Sequence, residues 1–279
     1  MDALHELIDR ALGEDAAVLD LTSEAVVPAD ELARARVEQR GEGAIAGLEV
    51  AIGVFDAVDS ELEAAAQVDE GVWRDEGGPV LAIEGNARSI LAAERVALNF
   101  LGHLSGIATL TARFVAAVEG TGVAILDTRK TAPGMRALEK QAVVAGGGVS
   151  HRFDLSEAIL VKENHAAIAG GVGEAARRAL DRAREGVTVQ VECGTLDELD
   201  EALEAGIELI LLDNMDPDGL RAAVERAAGR AELEASGGIT LENVRPVAET
   251  GVDRISIGAL THSAPALDLS LTLEPLPAP

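Results

Sequence analysis

The chain has 279 residues, 48% of them hydrophobic, with 49 acidic residues against 23 basic ones and a formal net charge of −26. That length builds one large domain or two modest ones with a real core, and the single cysteine, Cys193, excludes an internal disulfide framework and a multi-cysteine metal site. The acidic N-terminus lacks a basic-then-apolar leader pattern, and no apolar run approaches the ~18 residues of a membrane span, so a cytoplasmic protein is expected.

In chain order, residues 2–13 have helical periodicity. Residues 32–39 (LARARVEQ) alternate like a half-buried strand, and residues 43–58 (GAIAGLEVAIGVFDAV) read as strand into helix. Residues 86–118 read as one or two long helices, broken near Gly102 to Gly106. From residue 123 short β-branched runs recur: VAILDT, AILVKEN, VTVQVEC, ELILLDN, AELEAS and RISIGA, with GGVSHR (147–152) as one more candidate. Helical segments separate most of them. Thr195 opens a capping box with Glu198, and Asp216 precedes Pro217 at a first helical position. Pro246 interrupts the last helical segment. Alternating strand and helix predicts a parallel sheet closed toward an α/β barrel. The tail LTLEPLPAP is too proline-rich for a helix.

The acids are scattered and form no D-x-D-x-D-G loop, which disfavours a calcium site or a nucleic-acid mimic. Spread acidity with only three lysines suits a surface hydrated in concentrated salt. All three lysines, Lys130, Lys140 and Lys162, fall between residues 127 and 165, with Arg129, Arg136, Arg152, His151 and His165. Such an island in so acidic a chain predicts an anion pocket, the alternative being cations that neutralise neighbouring surface acids. In a parallel barrel the site forms at the C-terminal strand ends. Those ends supply Thr128, Arg129, Lys130, Lys162, Glu192, Asp213, Ser236-Gly237-Gly238 and Gly258-Ala259, a set suited to a phosphorylated, anionic substrate. Glycines there let backbone N–H groups approach a phosphate, and a helix starting near Thr240 would add its dipole. Tight turns would use the same glycines. Glu192 and Asp213 could bind Mg²⁺ or ribose hydroxyls. No Walker loop, dinucleotide turn, nucleophile elbow or zinc-spaced histidine pair is present. His5, His103 and His262 read as structural.

The run Asp127-Thr128-Arg129-Lys130-Thr131-x-Pro133-Gly134, then Arg136, Glu139-Lys140, Gly146-Gly147-Gly148, His151-Arg152 and Lys162-Glu163-Asn164-His165 resembles the signature of the quinolinate phosphoribosyltransferases. So do LLDNM (211–215), EASGGIT (234–240), GALTHSAPALDLSL (258–271) and, upstream, GEDAAVLDLTSEAVVP, AGLEVA and ERVALNFLGHLSGIAT. The likeness spans nearly the whole chain. Ala145 stands where many relatives carry cysteine, and Phe153-Asp154 where a small or glycine-containing pair is usual.

The resemblance implies an N-terminal α/β sandwich domain, residues 1–103, joined by the C-terminal tail 268–279, and a seven-stranded, incomplete TIM-like α/β barrel over residues 104–267. It implies transfer of a phosphoribosyl group from phosphoribosyl pyrophosphate to quinolinate with loss of CO₂, using Mg²⁺, in a homodimer or dimer-based oligomer with shared active sites. Residue by residue, Arg129, His151, Arg152 and Lys162 would hold quinolinate's carboxylates, and Arg95 would reach in from the partner subunit. Lys130 would serve pyrophosphate or quinolinate, Glu192 and Asp213 ribose and metal, and the Ser236-Gly237-Gly238 and Gly258-Ala259 turns the 5′-phosphate. Lys130, Lys162, Glu192 and Asp213 are the expected catalytic set, with neither nucleic acid nor membrane as partner. The alternatives are a phosphoribosyltransferase for another base on the same scaffold and a non-catalytic binder of phosphorylated ligands.

Overall fold

The computed structural model describes residues 3–276. Residues 1, 2 and 277–279, at the outer ends of the expected sandwich domain and tail, lie outside the described residues. The chain forms two compact units, one of residues up to 112 with 133–147 and 264 onward, the other of residues 113–132 and 148–263. The first of these units includes a segment, 133–147, that lies in sequence within the expected barrel.

In the first unit α1 (Ala3–Glu14), α2 (Leu21–Val26), β1 (Leu32–Gln39), β2 (Gly43–Ala44), α3 (Leu48–Val58), β3 (Glu63–Ala66), β4 (Trp73–Arg74), β5 (Gly78–Asn86) and α4 (Ala87–Ala117) follow in order. The alternation of LARARVEQ has the burial it predicts: Ala33, Ala35, Val37 and Gln39 are buried, while Leu32, Arg34 and Arg36 face water. β1 pairs antiparallel with β5. Asp20 caps α2, its carboxylate accepting the Thr22 and Ser23 N–H groups.

α4 is one continuous helix of 31 residues, so the expected break at Gly102 to Gly106 does not occur. Those glycines have a packing role instead. A Cβ on Gly106 would lie 2.1 Å from the Pro265 carbonyl oxygen, and one on Gly102 3.2 Å from that of Leu267. Bare backbone lets the returning chain lie directly against the helix, and that burial outweighs glycine's low helix propensity. Gly106→Ala is accordingly predicted to destabilise the protein by about 1–3 kcal/mol, measurable by denaturant unfolding. By length and composition α4 could also span a bilayer, contrary to the reading that no run comes close. However, 61% of its apolar window is buried within the protein, as in a core helix.

The second unit takes the last turn of α4 and then β6 (Ala124–Leu126); α5 (Arg136–Ala145) belongs to the first. Then come β7 (Ile159–Val161), α6 (Glu163–Ala169), α7 (Val172–Arg182), β8 (Val189–Cys193), α8 (Leu196–Ala205), β9 (Leu209–Asp213), α9 (Pro217–Ala227), β10 (Glu232–Ser236), α10 (Val244–Ala248), β11 (Arg254–Ser256) and α11 (Ala259–His262). The parallel sheet has the order β6-β11-β10-β9-β8-β7. Strands adjacent in sequence are neighbours, and the last pairs with the first, as in a barrel left open between β6 and β7. The seventh strand is reduced to one bridge, Val149 to Leu126. Thr195 and Glu198 form their reciprocal cap on α8, and Asp216 caps α9 with Pro217 at the first position. Finally β12 (Leu269–Pro275) pairs antiparallel with β1, completing the order β12-β1-β5-β3.

Candidate active site

Strand alternation builds the site. Side chains two apart on one strand face the same side, so each barrel strand contributes pairs of inward residues in stacked layers. A cavity of about 310 Å³ is lined by Leu160 and Lys162 of the β7 end, Glu192 of β8, Leu211 and Asp213 of β9, Glu234 and Ser236 of β10, and Ser256 of β11. Thr128, Arg129 and Lys130, following β6, and His151 and Arg152, following the Val149 bridge, complete it. Four cations, Arg129, Lys130, Arg152 and Lys162, thus meet three carboxylates in a chain of net charge −26.

Lys162 Nζ donates to Glu192 Oε2 at 2.7 Å. Asn214, in the left-handed region at φ 55°, donates from Nδ2 to Asp213 Oδ2 at 2.7 Å and from its backbone N–H to the Ser236 carbonyl at 2.8 Å. A Cβ on Gly237 would come within 2.2 Å of Asn214 Oδ1, so only glycine lets that turn close on Asp213's neighbour. Buried Asp127 accepts the His151 N–H at 2.8 Å and anchors the His151-Arg152 turn. Arg152 Nη1 donates to the Ala158 carbonyl at 2.8 Å. Burial, and then the charge of Arg129, push the Arg152 guanidinium pKa below its usual value. Two like charges held together in a partly dry pocket favour an anionic ligand.

Some expected residues lie elsewhere. The lysine island splits: Arg136, Lys140 and Glu139 sit on α5 in the first unit, with Glu139 and Lys140 buried and His103 Nε2 2.9 Å from Glu139 Oε1. His165 caps α6, its Nδ1 accepting the Lys162 N–H at 2.9 Å. Arg95 is exposed on α4 in the first unit. Gly237, Gly238, Gly258 and Ala259 do not line the cavity itself. A Cβ on Gly258 would be 3.1 Å from Lys130 Cδ, so that turn adjoins it, and Thr261 Oγ1 donates to the Lys130 carbonyl at 2.8 Å. The helix expected near Thr240 starts at Val244 and runs only to Ala248. Thr240 donates its N–H to Asn243 Oδ1, a local turn that delays the helix.

Glu234, Ser256 and Asn214 were not among the expected site residues. Glu234 carried a signal: a charge in the middle of an apolar strand, two positions before Ser236 and so on the same face. Asn214 lay within the LLDNM motif, but its left-handed backbone has no marker in a single sequence. Among the described residues no cluster of three or more His, Cys, Asp and Glu side chains could hold a metal ion. Glu192 and Asp213, both facing the cavity, suit a hard cation held mainly by a substrate's phosphates. A larger cavity, about 540 Å³, lies at the strand starts (Gly122, Ala124, Leu209, Glu232, Arg254) and shares only His151 and Arg152 with the charged one.

The pattern described as quinolinate phosphoribosyl transferase, C-terminal domain, matches residues 107–272, and that of its N-terminal domain matches residues 20–105. A nicotinate-nucleotide pyrophosphorylase [carboxylating] of Mycobacterium leprae is 44% identical, with 98% of each chain covered. A probable enzyme of the same name from Bacillus subtilis is 38% identical over 96% of this chain and 92% of its own. The solved nicotinate-nucleotide pyrophosphorylase of Francisella tularensis superposes with a TM-score of 0.93 at 37% identity, covering 98% of this chain and 96% of that one. With both domains matched in order along a chain whose charged cavity sits at the strand ends, the protein belongs to the quinolinate phosphoribosyltransferase family.

Proposed function

We propose that the cavity at the strand ends binds quinolinate and phosphoribosyl pyrophosphate together and carries the transfer between them. The reaction is the family's: quinolinate and phosphoribosyl pyrophosphate give nicotinate mononucleotide, pyrophosphate and CO₂, in de novo NAD synthesis. The observation that supports placing it here is Arg152, half-buried beside Arg129, two guanidinium groups suited to a dicarboxylate.

The residue types fit each step. The pyridine nitrogen attacks C1 of the ribose, and the C1–oxygen bond breaks with its electron pair leaving on pyrophosphate. Positive charge develops at C1, so charge stabilisation matters more than a nucleophilic side chain. Glu192 and Asp213 face the ribose and its positive centre, and Lys130 meets the departing pyrophosphate. Mg²⁺, held by Glu192 and Asp213 together with the donor's phosphates, would neutralise charge on the leaving group. Once ribosylated, the cationic ring accepts the electron pair of the adjacent carbon–carboxylate bond. CO₂ leaves, and that ring carbon takes a proton. Arg129, Arg152 and Lys162 hold the two carboxylates so that the nitrogen faces C1.

Quinolinate carries one carboxylate more than nicotinate. A cation left without its anion in a partly dry pocket costs about 2–5 kcal/mol, so nicotinate should be a poor substrate. The check is nucleotide formation from each acid at saturating donor. A preference for quinolinate of about a hundredfold or more is expected; equal use of both would overturn the assignment of these cations to the dicarboxylate.

The active protein is, in this reading, a homodimer in which Arg95 of one subunit completes the site of the other. Mixing Arg95→Ala with Lys162→Ala protein should restore part of the activity through hybrid dimers. No recovery, with subunit exchange verified, contradicts a shared site.

A further inference from the structure

His151 and Glu234 make an arrangement that substrate binding alone does not explain. Glu234 lies on β10 with its side chain removed from solvent. Its Oε2 accepts a hydrogen bond from Gln190 Nε2 at 2.9 Å and faces His151 Nε2 at 3.5 Å. Its Oε1 is buried with no hydrogen-bond partner among the described residues. On the other side of the imidazole, His151 Nδ1 accepts the backbone N–H of Arg152 at 2.7 Å. An atom that accepts an N–H presents a lone pair, so the ring proton sits on Nε2, the nitrogen turned toward Glu234. Burial pushes the Glu234 carboxyl pKa up, but contacts from His151, Ser256 and Gln190 outweigh it and leave the group below its usual value.

Buried carboxylates with an unpartnered oxygen are weak stabilisers, because the cost of desolvation offsets what their partners return. Their place at functional sites is to orient another group, as carboxylates orient imidazoles in catalytic and metal sites. We propose that Glu234 is a positioning residue for the transfer reaction: it holds His151 in the Nε2–H tautomer, and His151 in turn seats the backbone of Arg152 for the dicarboxylate. His151 then acts as a strut behind the guanidinium rather than as a carboxylate-binding cation. This deepens the proposed function and rests on Arg152 meeting quinolinate.

The test uses the full-length protein carrying Glu234→Gln, His151→Gln or both, with kcat and KM measured for each substrate. Glu234→Gln should lower kcat/KM for quinolinate about tenfold or more, change KM for phosphoribosyl pyrophosphate less than about twofold, and leave the melting midpoint unchanged or higher. In the double variant the losses should not multiply, because both changes break one chain of contacts. Nitrogen NMR of the imidazole, assigned by difference from His151→Gln, should show the Nε2–H tautomer in the wild type and a displaced signal in Glu234→Gln. Ser256→Ala, which removes another contact to the same carboxylate, should move activity in the same direction should the glutamine variant fold poorly. Wild-type kinetics in Glu234→Gln, multiplicative losses in the double variant, or an Nδ1–H tautomer in the wild type would each overturn the proposal. An inactive wild type would instead contradict the proposed reaction, so the two failures are distinguishable.

Discussion

Arg152→Met is expected to reduce kcat/KM for quinolinate by about a hundredfold or more, while KM for phosphoribosyl pyrophosphate stays within about threefold. Methionine keeps the length and apolar stem of the side chain and removes the charge. The pocket holds Arg129 against Arg152, and in the proposed function the dicarboxylate would relieve that repulsion. Losing one guanidinium therefore weakens an interaction that only the anionic ring supplies. Arg152→Lys should also be costly, by about tenfold, because a point charge cannot make the planar two-pronged contact. Steady-state kinetics varying each substrate in turn separates the outcomes. A variant with full quinolinate activity would remove Arg152 from the site, and equal losses for both substrates would mean that the pocket had collapsed.

The second large effect is on stability. With 49 acidic and 23 basic residues, the folded chain repels itself at low ionic strength, and salt should relieve this at screening lengths of a few Å (~3 Å at 1 M). Thermal melts from dilute buffer to molar KCl should show a rise in Tm of about 10 °C or more, corresponding to about 2.5–5 kcal/mol or more at ~2–4 °C per kcal/mol. The ion pairs among the described residues do not offset the repulsion: most join groups that are a third or more exposed, such as Arg34–Glu84 and Arg178–Glu174, where each contributes little. A flat or falling Tm would contradict the salt-adapted reading of the surface.

Elements were legible where one periodicity ruled. LARARVEQ alternates because one face of β1 is buried, and the parallel strands from 124 onward read as apolar runs ending in polar residues because helices and core cover both faces. Thr128, Arg129, Lys130, Lys162, Glu192, Asp213 and Ser236, read from the strand ends, line one cavity, since a barrel's polar terminations converge on one mouth. What failed depends on contacts between distant segments. Gly102 and Gly106 read as helix breakers until the chain at 265–267 is seen lying on them. Lys140 and Arg136 are sequence neighbours of the site, yet α5 folds with the other unit. Val149 makes a single bridge, to Leu126, where GGVSHR was one more candidate strand. Glu234 escaped because a carboxylate inside an apolar strand has meaning only once Gln190, Ser256 and His151 are known to surround it.

Decarboxylating transfer has one direct measurement: release of CO₂ from quinolinate labelled in the carboxylate beside the ring nitrogen, with and without phosphoribosyl pyrophosphate. The expected result is release only when the donor is present, in one-to-one proportion with pyrophosphate, and its loss in Arg152→Met. Label retained in a nucleotide product, or released without the donor, would contradict the function assigned to this site.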